Sequence, residues 1–243
     1  MGTTIRGLRR DQLTHGIVQI SLDLASVEDA LRLAAIAVEA GADWLEAGTP
    51  LLVSEGRRAV RALRKEFPDH PIVADLKMMD GGYGETSLYA DAGADAVVVM
   101  GRSHDATIER AAEAAEAGGL LLMGDDMVAT DRPAEGARLE SLGVGLVIHH
   151  VGHDHRTRHR AEKLSPLTDL PAIVAATTVP VQAVGGLSVE EAIGCPSLGA
   201  GVVVFGAPLV IDDERSFAIS EGDLPGVLSA AIARVHAAEV VYP

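Results

Sequence analysis

The chain has 243 residues, of which 48% are apolar but only 3% aromatic, so its interior must be built from Ala, Val, Leu and Ile; that composition suits buried parallel strands covered by small-faced helices. The formal charge of −15 argues against a nucleic-acid footprint, which needs Lys and Arg gathered on one face. It leaves room for a small phosphorylated ligand held by one or two local dipoles and cations. Cys195, the single cysteine, excludes an intrachain disulfide framework and a cysteine-rich zinc site, and no segment approaches the roughly 18 continuous apolar residues of a membrane span. Arg6, Arg9 and Arg10 near the start are not followed by an apolar run of signal type, so a cytoplasmic protein is expected.

Residues 1–16 read as a segment closing the base of the domain that occupies 17–243. The first strand is expected at Ile17–Asp23. An amphipathic helix follows over Ser26–Glu39, with Ser26 as N-cap and Glu28 and Asp29 in its first turn, where they oppose the helix dipole. A recurring phrase then sets the rhythm: Ala-Gly-Ala-Asp-Trp-Leu-Glu-Ala-Gly (40–48), Ala-Gly-Ala-Asp-Ala-Val-Val-Val-Met-Gly (92–101), Leu-Gly-Val-Gly-Leu-Val-Ile-His-His (142–150) and Leu-Gly-Ala-Gly-Val-Val-Val-Phe-Gly (198–206). In each, a helix-stopping Gly precedes an apolar run too short for a helix but right for a parallel strand.

The leading glycines, Gly41, Gly93, Gly143 and Gly199, lie 52, 50 and 56 residues apart, about twice one βα unit. Intervening strands fit at Ile72–Asp75, Leu120–Asp126 and Val181–Val184, and His153 to Leu170 reads as a long loop with a short helix. Eight evenly spaced units predict an α/β fold of the single-domain (β/α)8 TIM-barrel kind rather than an open doubly wound sheet.

In such a barrel the active site lies where strands end, and polar residues collect there. Asp23 closes the first strand, Glu46 the second, Asp75 and Lys77 the third, Asp126 the fifth and His150 the sixth; Asp23, Glu46 and Asp126 are candidates to contact the substrate. Asp75-Leu-Lys77-Met-Met-Asp80 is the sharpest local signal, because a Lys in an apolar barrel mouth is costly unless carboxylates flank it; a solvated turn with an incidental salt bridge has the same spacing. Glu46 and Asp75 end neighbouring strands, within reach of one hard cation such as Mg²⁺ or Mn²⁺. With Lys77 they suit proton removal alpha to a ketone, whose enediolate needs positive charge placed beforehand.

Gly185-Gly186 after the seventh strand and Gly206-Ala207 after the eighth occupy the usual phosphate positions of barrels, although a bare Gly-Gly is also an ordinary turn. The run His149-His150-Val-Gly-His153-Asp154-His155 does not predict zinc. At most one of His149 and His150 faces the interior, and no HExxH helix exists. His150 is the better general acid or base. Met78, Met79 and Met100 read as packing, and Trp44 as a core or helix-facing residue.

At Gln19-Ile-Ser-Leu-Asp23, Leu45-Glu-Ala-Gly-Thr-Pro-Leu-Leu52, Val73-Ala-Asp-Leu-Lys-Met-Met-Asp80, His150-Val-Gly-His-Asp154 and Val184-Gly-Gly-Leu187 the chain resembles the orotidine 5′-phosphate decarboxylase superfamily. Within it the likeness is to the 3-hexulose-6-phosphate synthase and 3-keto-L-gulonate-6-phosphate decarboxylase branch. The resemblance implies a Mg²⁺-dependent, cytoplasmic carbon–carbon lyase acting on a phosphorylated pentulose or hexulose. It also implies a homodimer in which Asp80 completes the partner subunit's site. Glu46 and Asp75 match its metal carboxylates, Lys77 its enediolate-stabilising lysine, Asp23 a sugar-contacting residue and His150 a histidine near the reacting carbons.

The leading expectation is aldol addition of formaldehyde to ribulose 5-phosphate. The alternatives are decarboxylation of a 3-keto sugar-acid 6-phosphate, a related lyase using a different aldehyde, and a non-catalytic phosphosugar-binding barrel. His153 stands where the decarboxylases carry an Arg, which favours the synthase. Gly206-Ala-Pro-Leu lacks the basic residue often found in the family's last phosphate loop.

Overall fold

The structure, a computed structural model, describes residues 5–206, 209–212, 215–217 and 223–243. Eight parallel strands close into a barrel in chain order. They are β1 (Ile17–Leu22), β2 (Trp44–Ala47), β3 (Ile72–Met78), β4 (Ala96–Met100), β5 (Leu121–Asp125), β6 (Leu146–His150), β7 (Val181–Val184) and β8 (Ala200–Gly206). Helix α1 (Val27–Glu39) follows β1, and α2 (Thr49–Glu55) and α3 (Arg57–Glu66) follow β2. Next come α4 (Gly82–Ala90), α5 (Asp105–Gly118) and α6 (Arg132–Ser141), each after its strand. The region after β6 holds α7 (His153–Arg158), two short 3-10 turns and α8 (Leu170–Ala176), while α9 (Val189–Gly194) and α10 (Leu224–His236) complete the ring.

Local chemistry explains the boundaries. Ser26 Oγ accepts the Asp29 N–H at 3.2 Å and caps α1, satisfying one of the free donors of the first turn. Gly41, Gly93, Gly143 and Gly199 all have φ between 91° and 100°, the left-handed conformation that ends a helix and that L side chains avoid. The aspartates of the repeated phrase staple neighbouring strands. Asp43 Oδ2 accepts from Val18 N at 2.8 Å, and Asp95 Oδ2 accepts from Ile72 N at 2.9 Å.

Alternation along each strand sorts side chains into two cores. The barrel lumen is filled by Ile17, Trp44, Val73, Val98, Met123 and Ile148, and Ile5, Leu8 and Leu13 of the N-terminal segment pack beneath them. Trp44 is thus a lumen residue; truncating so large a buried ring would cost about 3–5 kcal/mol. The opposite faces of the strands, with Val18, Leu45, Val97, Val147 and Val203 among them, meet the helices in the larger outer core. The base is tied further by Arg10, which donates to the carbonyls of Thr177 at 2.6 Å and Val174 at 2.7 Å and lies 4.3 Å over the Tyr242 ring.

Two features lie outside the simple alternation. Gly56, with φ 56°, separates α2 from α3, and the backbones of β9 (Leu209–Asp212) and β10 (Arg215–Phe217) pair antiparallel beyond the barrel. Among the described residues, no helix is long and apolar enough to cross a membrane.

Candidate active site

The charged cluster forms because alternate residues of the strands point into the lumen and become polar only at the last position or two. On β3 this brings Val73, Asp75 and Lys77 to one face. The pairing of β3 with β4 shifts register between Ala74 and Met78, and Lys77 has φ 47°, a conformation costly for a non-glycine residue. Such an irregularity re-aims side chains at a barrel rim. Lys77 Nζ forms an ion pair with Asp75 Oδ2 and donates to Thr49 Oγ1 at 3.1 Å. Thr49 Oγ1 in turn donates to Asp75 Oδ2 at 2.7 Å. Burial works against the Lys77 ammonium, but the charges of Asp75, Asp125 and Glu46 outweigh it and hold its pKa above the ordinary lysine value. Lys77 therefore stays a fixed cation.

Glu46 is buried at the end of β2. Loss of solvent first, and then the charges of Asp75 and Asp23, push its pKa up to about 8. Asp23, just beyond β1, is raised in the same direction by desolvation and by Asp75, while Ser21, Lys77 and His150 partly oppose the shift. Its carboxylate receives the Ser21 hydroxyl at 3.2 Å, lies where a Cβ on Gly48 would have to go and borders Gly206.

Across the lumen His150 Nδ1 is 2.8 Å from Asp125 Oδ2. A carboxylate only accepts, so Nδ1 carries a proton, and in the neutral ring this leaves the lone pair on Nε2; among the described residues Nε2 has no hydrogen-bond partner. Burial raises the Asp125 pKa, but the charge and hydrogen bond of His150, with Lys77 and the Met127 N–H, more than reverse this and hold it below the usual carboxylate value.

Asp126 requires a correction. It was expected to end the fifth strand and bind substrate, but β5 ends at Asp125, and the one-residue difference turns Asp126 to the outer face. There it is buried against His149, with Oδ2 2.8 Å from His149 Nδ1, and accepts from Arg132 at 3.0 Å and from His150 N at 3.0 Å. Asp125 is the lumen residue that the sequence reading missed. The alternation that separates His149 from His150 would have identified it.

Asp80 is exposed beyond β3, where its carboxylate accepts the Gly81 N–H at 2.8 Å and touches neither Asp75 nor Lys77. Met78 and Met100 are buried, but Met79 is 53% exposed and is not packing within this chain. Gly185 and Gly186 follow β7 with φ 124° and 68°, and Gly206 closes β8 beside Asp23. Ala207 lies outside the described residues. The His155 and His159 rings lie 4.6 Å apart, tilted 45° to one another. Among the described residues, no three His, Cys, Asp or Glu side chains converge as a metal-binding group.

Known proteins share this chain's sequence pattern and fold. The family described as Orotidine 5'-phosphate decarboxylase / HUMPS matches residues 16–188. The 3-hexulose-6-phosphate synthase of Mycobacterium gastri is 34% identical over 195 residues, 79% of this chain and 90% of that protein. The crystal structure of 3-hexulose-6-phosphate synthase from Salmonella typhimurium superposes with a TM-score of 0.77 at 28% identity, covering 90% of this chain and all of that one. That of 3-keto-L-gulonate-6-phosphate decarboxylase from Vibrio cholerae gives 0.73 at 23% identity, over 91% and 99% of the two chains, a likeness of fold. The chain belongs to the Orotidine 5'-phosphate decarboxylase / HUMPS family and is a carbon–carbon lyase.

Proposed function

We propose that the protein joins formaldehyde to ribulose 5-phosphate, giving a 3-hexulose 6-phosphate by way of an enediolate. The observation that carries this reading is the pairing of a fixed ammonium, Lys77 on Asp75 and Thr49, with an imidazole whose Nε2 is left open by the Asp125–His150 hydrogen bond. His150 Nε2 takes a proton from C1 of the pentulose, and the electron pair moves onto the C2 carbonyl oxygen. Lys77 meets that negative charge with a cation already in place, so little reorganisation accompanies the step. C1 then bonds to the formaldehyde carbon, and the imidazolium returns its proton to the former formaldehyde oxygen. Asp23, beside Gly48, would accept hydroxyl hydrogens of the sugar, and the Gly185-Gly186 loop and Gly206 would receive the phosphate.

Glu46 and Asp75 fit a hard divalent cation. Both are oxygen donors, and Glu46 is a buried carboxylate raised to about 8 by loss of solvent and by the charges of Asp75 and Asp23, which a divalent cation would offset. A bound Mg²⁺ or Mn²⁺ would supply further positive charge beside the developing enediolate. The second subunit of a homodimer would place its Asp80 at this chain's mouth. Support comes from Met79, Tyr83 and Leu88, which are exposed apolar residues flanking Asp80 along β3–α4.

Formaldehyde consumption with ribulose 5-phosphate and Mg²⁺ tests the reading, and its absence would overturn it. CO₂ release from 3-keto-L-gulonate 6-phosphate would instead identify a decarboxylase, although His153, exposed at the start of α7, does not provide an arginine there. Calorimetric binding of phosphosugars without turnover of any would indicate a binding protein.

A further inference from the structure

A cation stands beside the glycine turn after β7, and it comes from an element that contributes nothing else to the site. Arg156 lies on α7, six residues beyond His150, and its side chain crosses towards β7. A Cβ built on Gly186 would land on the Arg156 guanidinium, with Nη2 at 3.0 Å, so the planar group lies flat on that glycine. Gly186 itself is open to solvent, whereas Gly185 is buried against the Val151 backbone.

One edge of the guanidinium is anchored. Its Nε donates to Val151 O at 3.1 Å. The two Nη nitrogens make no hydrogen bond and no salt bridge among the described residues, although the chain carries 35 Asp and Glu against 20 Lys and Arg. The neighbouring carboxylate, Glu191, is already committed: it accepts from Ser165 Oγ at 2.7 Å and from Ser188 N and Oγ at 2.9 Å. Desolvation lowers the guanidinium pKa from its ordinary value, partly opposed by Glu191, yet an arginine keeps its charge at any physiological pH. A half-buried, oriented cation with two open donors, seated in the space that a side chain on Gly186 would fill, has the geometry of an oxyanion clamp.

We infer that Arg156 binds the phosphate monoester of the substrate, its Nη donors closing over Gly186 on phosphate held by the turn after β7. This rests on the phosphosugar reading above and deepens it. Specificity for the phosphorylated over the free sugar would then come from α7, a helix within the irregular segment after β6.

The test is isothermal titration of the full chain and its R156A and R156K variants with inorganic phosphate and with ribulose 5-phosphate, the fold of each variant being confirmed by circular dichroism. R156A should weaken both ligands by about tenfold to a hundredfold, the range of a charge-assisted hydrogen-bond pair, with R156K in between. In turnover the loss should fall on KM for ribulose 5-phosphate more than on kcat, and the preference for ribulose 5-phosphate over ribulose should shrink in proportion. Equal phosphate affinity in R156A and the unaltered chain would overturn the assignment, as would absence of phosphate binding by the unaltered chain. Failure of formaldehyde consumption with phosphosugar binding intact and Arg156-dependent would sink the aldol reading and leave this one standing.

Discussion

His150 Nδ1 and Asp125 Oδ2, on adjacent strands at the top of the lumen, lie 2.8 Å apart. The carboxylate fixes which ring nitrogen of His150 carries a proton, and in the proposed reaction Asp125 would act through His150.

Replacing Asp125 with Ala should therefore lower kcat by about tenfold to a thousandfold, the scale of losing an oriented general base, while the fold is retained. KM for ribulose 5-phosphate should change less than kcat, because Asp125 orients the base rather than holding the substrate. Steady-state kinetics checks both, and an unchanged kcat would remove Asp125 from this role.

Asp126→Ala, one residue along, should behave in the opposite way. Its carboxylate is buried among His149, Arg132 and the His150 backbone, and deleting one partner of a buried charged set costs about 3–5 kcal/mol. For a chain of this length that lowers Tm by about 2–4 °C per kcal/mol. A melting curve like that of the unaltered protein would contradict the structural assignment.

Glu46 gives a pH signature in metal-free protein. Its folded-state pKa of about 8 lies above the ordinary 4.5, so the folded state holds the proton more tightly. Stability attributable to this group is intact below the unfolded value and falls as pH rises through the window up to about 8. With a chelator present, Glu46→Gln should melt higher than the unaltered chain at pH 9 and no differently at pH 4. Identical melting at both pH values would show that the carboxylate is not held under such strain.

Among the described residues Asp80 makes no ion pair. If it completes a partner subunit's site, mixing Asp80→Ala with Lys77→Ala subunits should restore activity that neither has alone. Random pairing gives about a quarter of the unaltered activity, since half the dimers are mixed and each has one intact site. No recovery after subunit exchange would make the site self-contained.

Much of this architecture is legible in the residues. Gly41, Gly93, Gly143 and Gly199 mark helix ends because only the left-handed conformation, seen at φ 91° to 100°, turns the chain back into the sheet. The apolar runs after them become β2, β4, β6 and β8. Lys77 and Asp75 are legible together because a barrel-mouth lysine must be paired, and they are. What escapes is what depends on a single residue of phase or on distant approach. Ending β5 at Asp125 instead of Asp126 exchanges a lumen carboxylate for an outer one. Arg156 sits in the irregular stretch after β6, and nothing in its spacing from Gly186 announces that the two meet. The β9–β10 pairing follows no β/α beat, and Met79, just past the end of β3, is exposed where its neighbour Met78 is buried.

Exchange of the C1 hydrogen of ribulose 5-phosphate with deuterium oxide, followed by NMR without formaldehyde, tests most directly whether Lys77 stabilises an enediolate. The unaltered enzyme with Mg²⁺ should exchange that hydrogen, and Lys77→Ala, folded by circular dichroism, should exchange it at least about a hundredfold more slowly. Undiminished exchange in Lys77→Ala, or none in the unaltered enzyme, would contradict the role of the ammonium at the barrel mouth.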